Sequence, residues 1–164
     1  MTWTLDDRFA DTLIVHGDAK IREGAVAQSL VLDGESLIEI KNRAGLCSRD
    51  STVSVCFNLY ELDGVQQLIM GKNRDSRGER QWCFTIEPDG RFKAYLQQGG
   101  WSTISCDEPL RYGTWHFAAL AVSGKKAALF LNGKPVGETT LKAPIAQTKA
   151  PITLGGIWDA KSVQ

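Results

Sequence analysis

The sequence predicts an all-β fold, a sandwich of two antiparallel sheets. Short runs of β-branched and aromatic residues recur along the 164-residue chain, and Gly, Asn and Asp separate them at the spacing typical of such sandwiches. No segment shows a convincing helical periodicity of apolar residues. The 16 Gly against 5 Pro indicate many tight turns rather than a Pro-rich linker.

Composition limits both the number of domains and the class of partner. A chain of 164 residues can bury about two-thirds of its surface in a single core, so we expect one domain over residues 1–164. The 19 basic side chains balance the 19 acidic ones, which disfavours nucleic acid and anionic membrane surfaces as partners. Residues 1–7 carry acid where a signal peptide needs base, so no targeting segment is visible and the compartment stays unknown.

The first strands are short and are separated by a turn. They are predicted at residues 12–16, 29–32 and 37–40, with the turn at 33–35 between the last two. Residues 52–60 then alternate between apolar and polar side chains, as a strand that covers a core with one side requires. The apolar set of this strand is Val53, Val55, Phe57 and Leu59.

The clearest hairpin lies in the middle of the chain. Apolar residues alternate over 82–86, the Pro-Asp-Gly sequence at 88–90 makes a turn, and the alternation returns over 92–96. A strand at 68–71 precedes the hairpin. The charged residues 72–80 between them are predicted to form a loop.

A second hairpin is predicted in the last third of the chain. It joins strands at residues 127–131 and 134–136 through Asn132-Gly133, a pair that tolerates the positive φ values of a type I′ turn. The last strand is predicted at residues 152–154.

Residues 115–122 are apolar on both faces apart from His116, so we expect this strand in the middle of a sandwich. His116 is interpreted as a hydrogen-bonded core residue rather than a catalytic base. The apolar phase of all the strands predicts a core formed by Leu30, Leu32, Val53, Val55, Phe57, Phe84, Ile86, Phe92, Leu96, Phe117, Ala119, Leu129 and Leu154.

The order of these elements carries a family resemblance. Residues 112–122, 128–137 and 152–156, the last ending in Leu-Gly-Gly, resemble the second half of a laminin G-like domain of the concanavalin A-like lectin/glucanase superfamily. Residues 30–40 are similar to the opening strands of that family, and residues 51–55 to its first long core strand. The resemblance covers nearly the whole chain and implies a jelly-roll sandwich of the concanavalin A-like type, in a family that supplies many non-catalytic binding modules. It also implies an extracytoplasmic location.

The resemblance also suggests that an element is missing. Domains of this family usually continue past the Leu-Gly-Gly strand into a final strand that lies beside the first one, and residues 157–164 leave no room for it. We therefore expect either a piece of a longer protein or a sandwich without its final C-terminal strand. The open edge would be filled by residues 1–7, by a second copy of the chain in a dimer, or by water.

Catalytic constellations are not apparent. Glycoside cleavage needs an acid and a nucleophile or base on opposite sides of one bond, and the glucanases of the superfamily carry several carboxylates at alternate positions of one strand. The carboxylates two residues apart in this chain instead sit at Gly-containing turns, as Asp33 with Glu35, Glu61 with Asp63, and Glu87 with Asp89. We therefore expect no glycosidase activity, and no GxSxG motif nominates a serine nucleophile.

Ligand-binding candidates come from polar loops and from tryptophan. Sugars lay their apolar C–H faces on aromatic rings while their hydroxyl groups meet planar polar side chains. Guanidinium groups in the charged loop could in addition fork onto uronate or sulfate oxygens of an acidic glycan. The alternatives are a solvated loop with compensating charges, and a core position for the tryptophan. The predicted binding residues are Asn73, Arg74, Arg77, Arg80, Gln97 and Trp101, with Trp158 as a weaker candidate.

Metal and cysteine chemistry stay open at this point. Calcium needs six to eight oxygens at one point, and no EF-hand spacing selects a site, so Ca²⁺ is an alternative rather than a prediction. The oxygen ligands available for it are Asp33, Glu35, Asp63 and Asp75. The cysteines lie in no CxxC motif and are expected as unpaired buried thiols, with disulfides as the alternative in an exported protein. They are Cys47, Cys56, Cys83 and Cys106.

The function predicted from the sequence is recognition of carbohydrate by a module without chemistry of its own, as part of a larger protein. The main alternative is a protein-interaction or structural sandwich in which the same loops contact a polypeptide partner. A glycoside hydrolase of the glucanase type is the third possibility.

Overall fold

Fifteen β-strands build the part of the chain that the computed structural model describes, namely residues 13–25, 28–46, 48–60, 64–159 and 162–163. A 3₁₀ turn separates the sixth strand from the seventh, and no helix in this part is long and apolar enough to cross a membrane. In chain order the strands are β1 (Leu13–His16), β2 (Lys20–Glu23), β3 (Gln28–Val31), β4 (Leu37–Ile40), β5 (Ser51–Asn58), β6 (Gln67–Arg74), β7 (Glu79–Ile86), β8 (Phe92–Gln97), β9 (Trp101–Ser105), β10 (Trp115–Ser123), β11 (Lys126–Leu131), β12 (Lys134–Thr140), β13 (Ile152–Leu154), β14 (Trp158–Asp159) and β15 (Ser162–Val163).

Two antiparallel sheets form a jelly-roll sandwich. The larger has seven strands in the order β1-β4-β13-β6-β7-β8-β9, and the smaller has four in the order β12-β11-β10-β5. Two further hairpins, β2–β3 and β14–β15, stand apart from these sheets. The predicted fold class, two-sheet and antiparallel, is thus confirmed.

The core lies between the two sheets and is centred on aromatic rings. Phe57 of β5 stacks on Phe92 of β8 at a centroid distance of 5.5 Å, and Phe84 of β7 tilts against Phe92 at 5.3 Å. Leu120 and Leu129 complete the contact from the smaller sheet, both almost fully buried. Burying such side chains contributes about 1.5 to 3 kcal/mol each.

Both predicted hairpins are confirmed. In the first, Trp82 faces Leu96, Phe84 faces Ala94 and Ile86 faces Phe92, and all six side chains are buried. In the second, Asn132 and Gly133 have φ values of +52° and +78°, as the left-handed positions of a type I′ turn require.

The predicted loop over residues 72–80 is largely strand. β6 continues to Arg74 and β7 starts at Glu79, so that only the 3₁₀ turn Asp75–Arg77 and Gly78 connect them. Arg74, Glu79 and Arg80 are half-buried where the two strands end, whereas Lys72 is fully buried inside β6. Four strands escaped prediction: β2, which is charged, β9, whose first residue is Trp101, and the two-residue strands β14 and β15.

The predicted core is right for one group of residues and wrong in one strand. Phe57, Phe84, Ile86, Phe92, Leu96 and Leu129 are buried, whereas Leu30, Leu32, Val53, Val55 and Leu154 are half-buried. In β10 the inward residues are His116, Ala118, Leu120 and Val122, so Ala119 points outward and Phe117 is 47% exposed. A strand that is apolar on both faces gives no signal for its phase, which explains the error.

The prediction of a missing final strand remains a prediction. β14 and β15 pair with each other rather than with the larger sheet, and within the described residues β1 pairs with β4 alone. Residues 1–7, proposed as one filling for the open edge, lie outside the described residues.

The phase of β10 can be tested on one strand. Leu120→Ala should lower the free energy of unfolding by about 2 to 5 kcal/mol, because it leaves a cavity between the sheets. Phe117→Ala should cost about 1 kcal/mol or less, since its ring faces solvent. Urea denaturation of both variants measures the difference, and equal losses would contradict the observed register.

Candidate functional site

A cleft of about 770 Å³ opens at one end of the larger sheet. It lies where three segments meet: the β6–β7 connection, the β8–β9 turn, and the extended chain between β12 and β13. The residues that line it are Gly78, Glu79, Arg80, Gln97, Gly99, Ala146, Gln147, Thr148 and Lys149.

The wall formed by residues 141–150 has no regular secondary structure but is firmly anchored. Leu141, Ile145 and Ala150 are almost completely buried. The Ala146 amide donates to the Gln97 carbonyl at 2.8 Å, which ties this wall to the end of β8. Packing and this hydrogen bond therefore fix the position of the wall.

A buried lysine fixes the far end of the same wall. The Lys72 side chain is fully buried, and its Nζ donates to Asn42 Oδ1 at 2.7 Å and to the Ala150 carbonyl. Buried ammonium groups are retained only when hydrogen-bonded, so this lysine is part of the scaffold.

The β8–β9 turn orients the Gln97 amide. The Gln98 backbone N–H donates to Gln97 Oε1 at 3.0 Å, which turns the side-chain oxygen toward the backbone of the turn. Gly99 follows with φ +93°, a left-handed conformation that favours glycine. Gln98 in turn binds the neighbouring segments through the Ser102 hydroxyl and, at 3.1 Å, the Ala143 amide.

Two aromatic residues form a platform beside the cleft, defined here as Tyr95 and Trp101. Trp101 is 40% exposed, and its ring meets that of Tyr95 edge to face at 5.8 Å. Trp101 is also the cross-strand partner of Gln97, which lines the cleft. Gln97 therefore belongs to the cleft lining and is also the neighbour of the platform residue Trp101.

Glu87 organises the polar groups under the platform. Its Oε1 accepts hydrogen bonds from Thr85 Oγ1 at 2.7 Å, Gln66 Nε2 at 2.9 Å and Tyr95 OH at 3.2 Å. Its Oε2 pairs with Lys93 Nζ at 3.2 Å, and that ammonium lies 5.5 Å from the Tyr95 ring centroid. The tyrosine is thus held in place at its hydroxyl as well as at its ring.

These contacts shift the acid–base properties of the network. Burial acts to raise the pKa of Glu87, but hydrogen bonds from Thr85, Gln66 and Lys93 together outweigh it, so the pKa is lowered. Burial, reinforced by the charge of Glu87, raises the pKa of Tyr95. For Lys93 burial acts downward, yet hydrogen bonding to Glu87 and the nearby negative charge raise the pKa.

The structure brings together half of the predicted binding residues. Arg80 and Gln97 line the cleft and Trp101 lies beside it, whereas Arg77 is exposed on the 3₁₀ turn. Whether these residues bind a ligand stays a prediction.

Two of the predicted binding residues have structural partners instead. The Asn73 side chain is 2% exposed, and its Oδ1 accepts a hydrogen bond from the Gln81 backbone amide at 3.0 Å. This bond lies where the register between β6 and β7 is irregular. Arg74 pairs with Glu39 at 3.7 Å. Both lie in β6 rather than in a loop and neither lines the cleft, and their role in binding stays a prediction.

Sequence reasoning missed the wall at residues 146–149. This segment has neither strand periodicity nor an aromatic residue, and its position depends on hydrogen bonds to β8 that no local pattern announces. The buried Leu141 and Ile145 are the signal that could have indicated a packed segment.

His116 is a hydrogen-bonded core residue, as predicted. It is 5% exposed, its Nε2 lies 2.9 Å from the Arg111 carbonyl, and its Nδ1 lies 3.3 Å from Asn132 Nδ2. A carbonyl can only accept and an amide nitrogen can only donate, so Nε2 carries the proton and Nδ1 accepts. A smaller depression of about 380 Å³ adjoins this residue.

The open questions on metal and thiols receive partial answers. Within the described residues no three His, Cys, Asp or Glu side chains cluster to hold a metal ion. Asp33 accepts hydrogen bonds from Ser36 Oγ at 2.7 Å and from the Glu35 amide, and the Ser36 hydroxyl lowers the pKa of this carboxyl. Asp63 lies outside the described residues, and calcium binding stays untested.

Three cysteines are described, Cys56, Cys83 and Cys106, and of these Cys56 and Cys106 are free thiols. Cys83 and Cys106 are buried as expected, but Cys56 is exposed, which corrects the expectation for that residue. Burial raises the pKa of both Cys56 and Cys106, so neither is an activated thiolate. Cys47 lies outside the described residues.

Comparison with known proteins agrees with the fold. A laminin G-type family model, described as concanavalin A-like lectin/glucanases superfamily, matches residues 32–163. No curated protein matches the sequence.

Solved structures with the same fold include three from different sources. Domain 4 of AbnA, a GH43 extracellular arabinanase from Geobacillus stearothermophilus, was solved in complex with arabinotriose; its TM-score is 0.71 at 18% identity over 89% of this chain and 74% of that one. The IT-sialidase CBM40 of Ruminococcus gnavus was solved bound to α2,3 sialyllactose. It has a TM-score of 0.57 at 19% identity, over 70% of this chain and 67% of that one. Mouse laminin α1 domains LG4-5 give 0.52 at 18% identity over 65% of this chain and 28% of that one. At these identities the likeness shows the fold alone.

The Glu87 network predicts a pH dependence of stability. Because its folded pKa is lowered from the usual 4.5, Glu87 stabilises the fold above that pH, and the contribution disappears as pH falls through the folded pKa. The Glu87→Gln variant should therefore have a free energy of unfolding about 1 kcal/mol lower than the parent protein at neutral pH. In acid the free energies of unfolding of the two proteins should become similar. Thermal unfolding between pH 7 and pH 3 measures this, with Glu138→Gln on the exposed side of β12 as the control. Parallel profiles for parent and Glu87→Gln would contradict the role of Glu87.

Proposed function

Because the chain belongs to the laminin G-like family of the concanavalin A-like lectin/glucanase superfamily, we propose that it is a non-catalytic carbohydrate-recognition module. The observation that carries the proposal is the joining of a polar cleft to an exposed aromatic platform. Arg80 and Gln97 supply planar polar groups in the cleft, and Trp101 supplies a half-exposed ring next to them.

This geometry suits a sugar better than an apolar ligand. The indole ring offers a flat surface for the C–H face of a pyranose or furanose, while amide and guanidinium N–H groups meet its hydroxyl oxygens. The Tyr95 contact and the Glu87 hydrogen bonds hold the platform before a ligand arrives, which reduces the entropy lost on binding.

The fold neighbours support the same direction. The arabinanase domain was solved with arabinotriose and the CBM40 with sialyllactose, so this sandwich accommodates sugars in those proteins. The arabinanase is named as extracellular, which supports an extracytoplasmic location for this module. A place within a larger protein remains part of the proposal.

The chemistry of the carboxylates argues against glycoside cleavage. A general acid needs a raised pKa, whereas that of Glu87 is lowered and both of its oxygens are engaged. Asp33 and Asp89 bind backbone amides in their own turns, those of Glu35 and Arg91. Asp33, Glu87 and Asp89 thus have structural roles in the scaffold.

A protein-interaction role is the second candidate, and one observation favours it. On the outer side of the smaller sheet Phe117 is 47% exposed, and its cross-strand partner is the exposed Cys56. An aromatic side chain exposed on a sheet face is a common contact in protein interfaces.

A glycan array, run with and without a calcium chelator, tests the proposal. We expect saturable binding to one glycan class, and Trp101→Ala should weaken it about tenfold or more because the stacking surface is lost. Phe117→Ala, which removes an exposed ring from the other sheet, should leave glycan binding unchanged.

Silence across the array would contradict carbohydrate recognition and favour the interaction role. If Trp101→Ala and Phe117→Ala weaken glycan binding equally, the sugar does not bind at the platform. Loss of binding with the chelator would show that calcium takes part.

A further inference from the structure

We propose that β5 is a self-association edge, at which the β5 strand of a second copy of the chain pairs antiparallel to form one continuous sheet. β5 is an edge strand of the smaller sheet, and within the described residues it pairs with β10 alone. In an antiparallel ladder, alternate residues direct their N–H and C=O groups away from the paired neighbour. β5 therefore presents a row of backbone donors and acceptors that another strand can bind.

β5 lacks the features by which proteins usually protect an exposed edge. Its sequence, Ser-Thr-Val-Ser-Val-Cys-Phe-Asn, contains no charged residue and no proline, and its register with β10 is regular throughout. The opposite edge strand of the same sheet, β12, has Pro135 and Glu138, and its pairing with β11 contains a bulge. Charge, proline and bulges hinder the addition of a further strand, so β5 is the edge of this sheet that permits it.

The inward side of β5 shows that the core is open at the same edge. Val53 and Val55 are the cross-strand partners of Leu120 and Ala118 in β10. The two β10 side chains are almost fully buried, whereas both valines are only half-buried. Exposure rises within one inward row because no strand that the structure describes lies beyond β5 in this sheet. A second β5 would place the valines of the two copies side by side and remove apolar surface from water.

A second copy fits this edge because β5 is compatible with itself. A two-fold axis perpendicular to the sheet pairs the strands antiparallel and keeps inward residues beside inward residues. The exposed Thr52 and Ser54 then meet uncharged side chains of the other β5. Arg49 and Asp50 precede the strand, so antiparallel pairing puts them beside the far end of the other β5, near the exposed Tyr60. Like charges of the two copies are therefore kept apart.

The pairing leaves the candidate site accessible. None of the described residues that line the cleft belongs to β5 or β10, and the platform lies on the larger sheet. The dimer therefore carries two copies of the cleft and the platform, and a ligand with repeated epitopes can bind both with a gain in avidity. The inference about β5 does not depend on the nature of that ligand.

Sedimentation equilibrium of the full chain at micromolar to millimolar concentration tests the inference. We expect a reversible equilibrium between monomer and dimer. Ser54→Lys should weaken dimerisation about tenfold or more, because it adds a lysine to each of the paired strands at a position that is exposed in the monomer. Higher salt should restore part of the loss by screening the two charges. The control is Thr140→Lys, which adds the same charge at an exposed position of β12 and should leave dimerisation unchanged.

Amide hydrogen exchange of residues 51–58 locates the interface in the parent protein. The β5 amides that point away from β10 should exchange rapidly in dilute solution and become protected as the dimer forms. The exposed Cys56 thiol gives an independent readout. Pairing near the strand centres brings the two Cys56 Cα atoms within about 15 Å, so a bismaleimide should link two copies of the parent protein but not of Cys56→Ser.

Three outcomes would contradict the inference. A chain that stays monomeric over the whole concentration range would overturn it and favour a strand of a different protein as the occupant. Protection of all β5 amides in the dilute monomer would overturn it as well, since the edge would then be covered within one chain. A dimer whose β5 amides stay unprotected, or that Ser54→Lys does not weaken, would place the contact elsewhere on the molecule.

Discussion

The stacking contact between Phe57 and Phe92 fixes how the smaller sheet packs on the larger one. The rings stack at 5.5 Å, one from the smaller sheet and one from the larger, and Phe84 and His116 pack around them. Because strand side chains alternate, an inward Phe92 also fixes which residues of β8 point outward. The inward position of Phe92 therefore determines which side chains of β8 form the outer surface of the larger sheet.

That surface carries the candidate site. With Phe92, Ala94 and Leu96 buried, the intervening Lys93, Tyr95 and Gln97 face away from the core. β9 pairs in register and places its own outward residues beside them, which brings Trp101 next to Gln97. The polar network and the aromatic platform follow from the packing of the core rather than from a loop with its own conformation.

The same logic explains which features could be predicted from the sequence. β8 alternates between large apolar and polar residues, so its phase and its hairpin can be predicted from the sequence. β10 is apolar on both faces, so Phe117 was wrongly assigned to the core. The charged neighbours of Asn73 predict a solvent-exposed loop, but the pairing of β6 with β7 continues through this region. The Asn73 side chain there accepts a hydrogen bond from the Gln81 backbone amide. The wall at residues 146–149 depends on distant backbone partners, which single-sequence patterns do not encode.

The anchored segment between β12 and β13 has a mechanical consequence. β12 belongs to the smaller sheet and β13 to the larger, so residues 141–150 are a tether between the two layers. A molecule bound to both this segment and the end of β7 links the two layers non-covalently. At a concentration a hundredfold above its dissociation constant, such a ligand adds about 2.7 kcal/mol to the free energy of unfolding.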